Sequence, residues 1–171
     1  VIETPWYKAV SAKGAQSIDT RPLAGETVED AGCRFDAALK SWKQTNPTGK
    51  IVITQGIGLD GHTAGMMPYP DDERAFGFLF EDSEVWVVGY DAGAKNKYPL
   101  RETTTMPFLR MVDDSIVLAC GPDKKKSLED TLRVTPLRGG LSKLHEVPAR
   151  IIHEMKHCLL FTDQPVGRVN T

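Results

Sequence analysis

The apolar run Ile51-Val52-Ile53-Thr54, leading through Gln55 into Gly56-Ile57-Gly58-Leu59-Asp60-Gly61-His62-Thr63, most constrains what this chain can fold into. β-Branched side chains are stiff at χ1 and pack well on a pleated surface, so the run reads as a buried parallel strand. The glycines that follow allow a sharp turn and a close approach of backbone to a ligand. Open α/β sheets bind ligands in such loops, at the carboxyl ends of their strands. Asp60 and His62 are two residues apart, and in an extended segment such residues point to one side. A carboxylate and an imidazole would then face one cleft. The plainer alternative is a connecting turn in which either residue merely caps.

Helix and strand patterns alternate along the rest of the chain, which predicts an α/β, Rossmann-like domain with a mostly parallel sheet flanked by helices. Residues 1–26 are rich in turn formers and give no clear element. Thr27 and Asp30 resemble a capping box, and Val28, Ala31, Phe35, Leu39 and Trp42 form a stripe at helical spacing that Asn46-Pro47 ends. Val85–Val88 and Ser115–Ala119 read as further buried strands, with a polar loop at Lys95–Pro99 between them. Helices are expected after Pro107 and after Gly121, and a last strand at Cys158–Phe161. The three tryptophans, Trp6, Trp42 and Trp86, read as core or core edge.

A length of 171 residues fits one domain with a real core. The formal net charge of -2 gives no electrostatic reason to expect nucleic acid or an anionic membrane as partner. No apolar run approaches the ~20 residues of a transmembrane helix, and the start lacks a signal-peptide profile. Cys33, Cys120 and Cys158 are widely spaced and contain no CxxC pair, which suits a reducing cytoplasm better than a disulfide framework. The chain opens on Val1 rather than methionine, the expectation being a processed product or a piece of something longer.

The segment GIGLDGHTAGMMP, Gly56 to Pro68, resembles the GxGxDGHTASLFP signature of 6-phosphogluconolactonases, whose fold is shared with glucosamine-6-phosphate deaminases. Arg101-Glu-Thr-Thr-Thr-Met-Pro107-Phe-Leu109 is similar to the family's RVTLTLPVL. Gly121-Pro-Asp-Lys124 with Leu128 is similar to its GxxKAxxL. The resemblance implies hydrolysis of a phosphorylated sugar lactone, with His62 and Asp60 catalytic, Gly56, Gly58, Gly61, Thr63, Arg101 and Lys124 around the substrate, and no cofactor. Deaminases carry a glutamate just before the motif's proline, where this chain has Met67. A thioether cannot move a proton, so the lactonase branch fits better than a deaminase or isomerase.

Lactone hydrolysis needs an activated water, a site for the oxyanion and a proton for the departing ring oxygen. Imidazole exchanges protons near neutral pH, which makes His62 the base and then the acid, with Asp60 fixing its tautomer if the two touch. N–H groups of the glycine loop, and of a helical turn expected near Thr63, would meet the oxyanion. Arg101 offers a planar fork for phosphate oxygens, and Lys124 to Lys126 sit at an apparent helix start, where a bound anion relieves the dipole. A solvated lysine run is the alternative for that stretch.

His153-Glu154-Met155-Lys156-His157 is a literal HExxH. On a helix, His153 and His157 would share one face and could bind zinc with Glu154 as base. A third ligand is missing, since Leu160 and Asp163 stand where the longer motif needs Gly and His. Pro148-Ala149 with Ile151-Ile152 instead resembles a segment that leads into the last strand of the deaminase relatives. His145 has no evident partner and is expected to be exposed.

Two family elements, a Gly-Gly-Ser/Thr phosphate loop and an Asp-Glu-Arg segment, lie upstream of the DGHT motif in the relatives. Neither is present before Gly56, and Asp72-Glu73-Arg74 falls on the wrong side of the motif. The domain is therefore expected to be incomplete at its N-terminal side. Either it belongs to a larger lactonase-like domain, or it is a phosphosugar-binding module without turnover, or an oligomer supplies the missing strands.

Overall fold

The computed structural model of the chain describes residues 4–133 and 143–166. Thr4 accepts from the Tyr7 N–H at 3.2 Å and so caps a short helix, α1 (Pro5–Ser11), in the stretch where turn formers masked any periodic pattern. Thr27 caps as predicted, with its side chain, rather than its backbone N–H, meeting the Asp30 carboxylate. The Thr27 hydroxyl accepts from the Asp30 N–H at 3.1 Å and donates to the Asp30 carboxylate at 2.8 Å, starting α2 (Val28–Thr45). Strand β1 (Val52–Gly56) follows, and Asp72 then caps α3 (Glu73–Phe80) through the Ala75 N–H. That cap is what the Asp-Glu-Arg stretch does here.

The next two strands depart from expectation. β2 (Val87–Asp91) starts later than the predicted Val85–Val88 and does not join the parallel sheet; it pairs antiparallel with β3 (Leu100–Thr104) in a separate hairpin. The polar, threonine-rich sequence of β3 hid a strand whose residues serve the hairpin rather than a core sheet. α2 lies against β2 so closely that a side chain on Gly89 would start 1.7 Å from the Val28 carbonyl oxygen. α4 (Met106–Met111), β4 (Asp114–Leu118), α5 (Lys125–Leu132) and β5 (Cys158–Phe161) then follow close to their predicted places.

The main sheet is parallel in the order β1-β4-β5, with Thr54 opposite Ile116 and Ile116 opposite Leu159. Parallel crossovers are right-handed, so two successive steps in one direction put both connections on one face. That face is covered: Val117 and Leu128 are fully buried in a cluster with Ile57, Ala119 and Ala149. A larger cluster joins Phe76, Phe80 and Tyr90 with Met66, Met67, Met106 and Leu109 between the hairpin and α3 and α4. The opposite face carries Val52, Ile116, Leu118, Leu159 and Phe161, all exposed. Trp6 is also exposed and Trp42 borders on it, so of the three tryptophans only Trp86 packs against the core.

Candidate functional site

The motif after β1 folds back on itself. Gly58 N–H donates to the His62 carbonyl at 2.8 Å and Gly61 N–H to the Gly58 carbonyl at 3.1 Å, closing a compact loop at the carboxyl end of the strand. The Asp60 carboxylate accepts from the His62 backbone N–H at 3.1 Å and meets the imidazole Nδ1 at 2.6 Å. This contact fixes the tautomer: with Nδ1 carrying the proton toward Asp60, Nε2 is left as an acceptor for a ligand. Only a glycine fits at position 58, because a β-carbon there would lie 2.1 Å from Nδ1. The same contact shows what the spacing of the motif accomplishes: the ring packs against the bare backbone of Gly58 while the carboxylate two residues earlier holds its Nδ1.

Three walls hold this loop. From the sheet below, Thr63 donates to the Gly56 carbonyl at 2.8 Å and meets Gln55 Oε1 at 3.1 Å. From the segment before β5, Ala149 N–H donates to the Gly61 carbonyl at 2.9 Å. From the hairpin, the Thr103 hydroxyl donates to the Ala64 carbonyl, and Tyr90 hydroxyl donates to the Gly65 carbonyl at 2.8 Å while accepting from the Met67 N–H at 3.2 Å. Burial pushes the Tyr90 phenol up to about 12, so it stays a neutral donor. Gln55, Thr103 and Tyr90 were not singled out from the sequence. A glutamine closing an apolar strand run was the one available signal.

Thr63 is 1% exposed and its hydroxyl is used up below the loop, so only its backbone can face a ligand. No helix begins there: Thr63 bridges Ile57 and Met66, and Ala64 has a left-handed φ of 52°. The expected helical turn is thus replaced by a tight chain reversal.

A cleft of about 650 Å³ opens over the loop, lined by Gly56, Gly58, Asp60, His62, Gly65 and Lys124 among others. Lys124 stands in a 3₁₀ turn (Pro122–Lys124) just before α5 and donates to the Ile57 carbonyl at 2.8 Å. Arg101 on β3 donates through Nε to the Gly65 carbonyl at 3.0 Å and through Nη1 to the Tyr98 carbonyl at 3.4 Å. It borders the cleft behind Gly65 rather than lining it. Lys126 instead pairs with Asp130 on the exposed side of α5.

The HExxH stretch is not a helix face. A 3₁₀ segment (Pro148–His153) ends at the first histidine, and the two rings diverge: His153 Nε2 meets the Thr131 carbonyl at 2.8 Å and His157 Nδ1 the Asp113 carbonyl at 3.2 Å. Glu154 pairs with Arg110 at 2.7 Å. Zinc ligation at i and i+4 needs a helix that the chain does not form here, and no group of three metal-binding side chains occurs among the described residues. His145 is partly buried, 3.8 Å from Glu73, rather than exposed.

The fold and site define an α/β domain with an aspartate-held histidine at the carboxyl end of a parallel strand. The profile of the family described as glucosamine-6-phosphate isomerases/6-phosphogluconolactonase matches residues 2–161, and the chain belongs to that family. Among solved structures it is similar to 6-phosphogluconolactonase from Trypanosoma brucei, at 21% identity and a TM-score of 0.55 over 81% of this chain and 54% of that one. The Plasmodium vivax 6-phosphogluconolactonase gives 15% identity and a TM-score of 0.59 over 84% and 55%. The Thermotoga maritima enzyme gives 19% and 0.56 over 82% and 53%. The chain thus spans about half the length of the structures it matches. No curated protein sequence matches it significantly. Among the described residues no helix is long and apolar enough to cross a membrane.

Proposed function

We propose that this chain carries the catalytic loop of a cytoplasmic phosphosugar lactone hydrolase, acting on 6-phosphogluconolactone to give 6-phosphogluconate. It does so as one α/β domain, the C-terminal portion of a larger lactonase-like unit. The observation that carries the reading is the 2.6 Å contact between Asp60 and His62 Nδ1 at the floor of an open cleft. Nε2 of His62 takes a proton from water as its oxygen attacks the lactone carbonyl carbon. The tetrahedral oxyanion is met by N–H groups of the glycine loop. Collapse breaks the bond from that carbon to the ring oxygen, and the imidazolium returns the proton to the departing oxygen. Asp60 stabilises the imidazolium while it exists. Lys124 and Arg101 are the cations for the phosphate, Arg101 after giving up a carbonyl. The chemistry calls on no cofactor.

Met67 supports the lactonase over the deaminase reading. It is 1% exposed in the aromatic and methionine core, a place where a glutamate would be buried among apolar side chains. The second reading is a phosphosugar-binding module without turnover, supported by Lys124 in the wall of the cleft, a cation that can grip a phosphate whether or not water is activated. The bare sheet face would then be covered by further strands and helices or by a second copy. A substrate panel separates these. Acid release from 6-phosphogluconolactone above its spontaneous rate is the expected result. Calorimetric binding of 6-phosphogluconate with no turnover would select the binding module, and ammonia from glucosamine 6-phosphate would select the deaminase.

A further inference from the structure

The floor of the loop is polar where an apolar strand would suffice. Gln55, next to last in β1, has its side chain on the covered face and is 7% exposed. Its Nε2 donates to Ser115 Oγ on β4 at 2.9 Å and approaches Met155 Sδ at 3.3 Å, while Oε1, 3.1 Å from Thr63 Oγ1, shares that hydroxyl's proton with the Gly56 carbonyl at 2.8 Å. Ser115, 1% exposed, also meets the Cys158 thiol on β5, opposite it in register. A line of three buried polar side chains, Ser115, Gln55 and Thr63, with the partly buried Cys158 at its β5 end, therefore runs through β4 and β1 into the loop. Buried amides persist where their partners are met, and a leucine would fill the same space with none of these demands.

Thr63 follows His62 directly, and the His62 carbonyl is also the acceptor that closes the loop on Gly58. The Thr63 hydroxyl, held by Gln55 Oε1 together with the Gly56 carbonyl, therefore sets the peptide from which the imidazole hangs, and with it the ring's placement over Gly58 and against Asp60. We propose that Gln55 is a positioning residue: through Thr63 it holds the His62 ring in the tautomer and orientation that the Asp60 contact requires. Ser115 fixes the amide so that its oxygen faces the loop. This rests on the proposed hydrolysis for its kinetic consequence, but its geometric consequence stands without it.

The test compares Gln55→Leu, Thr63→Val and the double variant with the parent chain, reading the His62 ring by nitrogen-15 correlation spectra, kcat and KM on 6-phosphogluconolactone, and melting temperature. Gln55→Leu is expected to shift His62 away from a single Nδ1-protonated form. It should lower kcat by about tenfold or more, with KM changed by less than about twofold. In the double variant the Gln55–Thr63 pair is apolar on both sides while Ser115 and the Gly56 carbonyl each lose one partner, so the melting temperature should recover in part over Gln55→Leu while kcat stays low. If kcat recovers together with the melting temperature, Gln55 is structural only and the proposal fails. It fails equally if the ring spectrum and kcat of Gln55→Leu match those of the parent. Should Gln55→Leu not fold, Thr63→Val, isosteric and lacking only the hydroxyl, is read in the same way. A parent chain without lactonase activity would sink the proposed function alone, since the His62 spectrum still decides the positioning role.

Discussion

The two faces of the β1-β4-β5 sheet have opposite fates. On one, Val117 is fully buried and Gln55 and Ser115 meet partners under the loop; on the other, Leu118 and Leu159 stand 60% and 62% exposed. Hydrophobicity alone would predict the reverse, since the covered face carries Gln55 and Ser115 while the bare one carries Val52, Ile116, Leu118, Leu159 and Phe161. Topology explains the difference: the strand order advances in one direction, so right-handed connections land on a single side, whereas parallel sheets in α/β proteins carry layers on both. The lesson is that the covered side alone builds the loop, the Asp60–His62 contact and the Lys124 wall. Among the described residues, the side chains that orient the imidazole do not come from the bare side.

That contrast can be broken most severely at Asp60. Asp60→Asn keeps the shape but offers Nδ1 an amide, and kcat is expected to fall about hundredfold or more with the melting temperature little changed. A variant with full activity would mean the contact does not organise the site. Gly58→Ala comes next: its β-carbon cannot coexist with the ring as placed, so the loop must rebuild, losing activity and about 1–3 kcal/mol of stability by chemical denaturation. Matched truncations on adjacent residues of β4 sharpen the comparison directly. Val117→Ala should cost about 2 kcal/mol, and Leu118→Ala under about 0.5 kcal/mol, in the isolated chain. Equal costs would mean that the exposed face is covered in solution.

The smallest effect lies away from the sheet. Arg34 beside Glu26, 2.7 Å away, holds that carboxyl down from 4.5 to about 2. A carboxyl depressed in the folded state stabilises it above the unfolded pKa, and the contribution is lost as pH falls through the folded one. Acid titration of the parent should therefore show a larger loss of stability between about pH 4.5 and 2 than Glu26→Gln does, the remainder coming from other depressed carboxylates such as Asp113 and Glu146. Identical acid profiles would assign the pair no role.

Much of this was legible in the residues. β1, β4, β5, α2 and α5 follow from β-branched runs, a capping box and helical spacing, which are local signals. The Asp60–His62 pairing was legible too, because the spacing of two and the glycines around it leave few arrangements. What escaped was decided by contacts between distant segments. β3 is polar on its own and becomes a strand only by pairing with β2; its Thr103 and Arg101 then pin the turn after His62. The HExxH string looked helical by spacing, yet Pro148 and the packing of Ile151 and Ile152 draw the segment into a 3₁₀ turn that sends its histidines to different carbonyls. Gln55 was visible in sequence, but its meaning lies in Ser115, sixty residues away.

The central claim is that the covered side suffices to make His62 a working base. Hydrolysis of fresh 6-phosphogluconolactone at neutral pH, followed for the chain, for His62→Ala and for buffer alone, tests it most directly. The expected result is a rate above the spontaneous one that His62→Ala abolishes. A rate for the parent chain equal to buffer, or one that survives in His62→Ala, would contradict it.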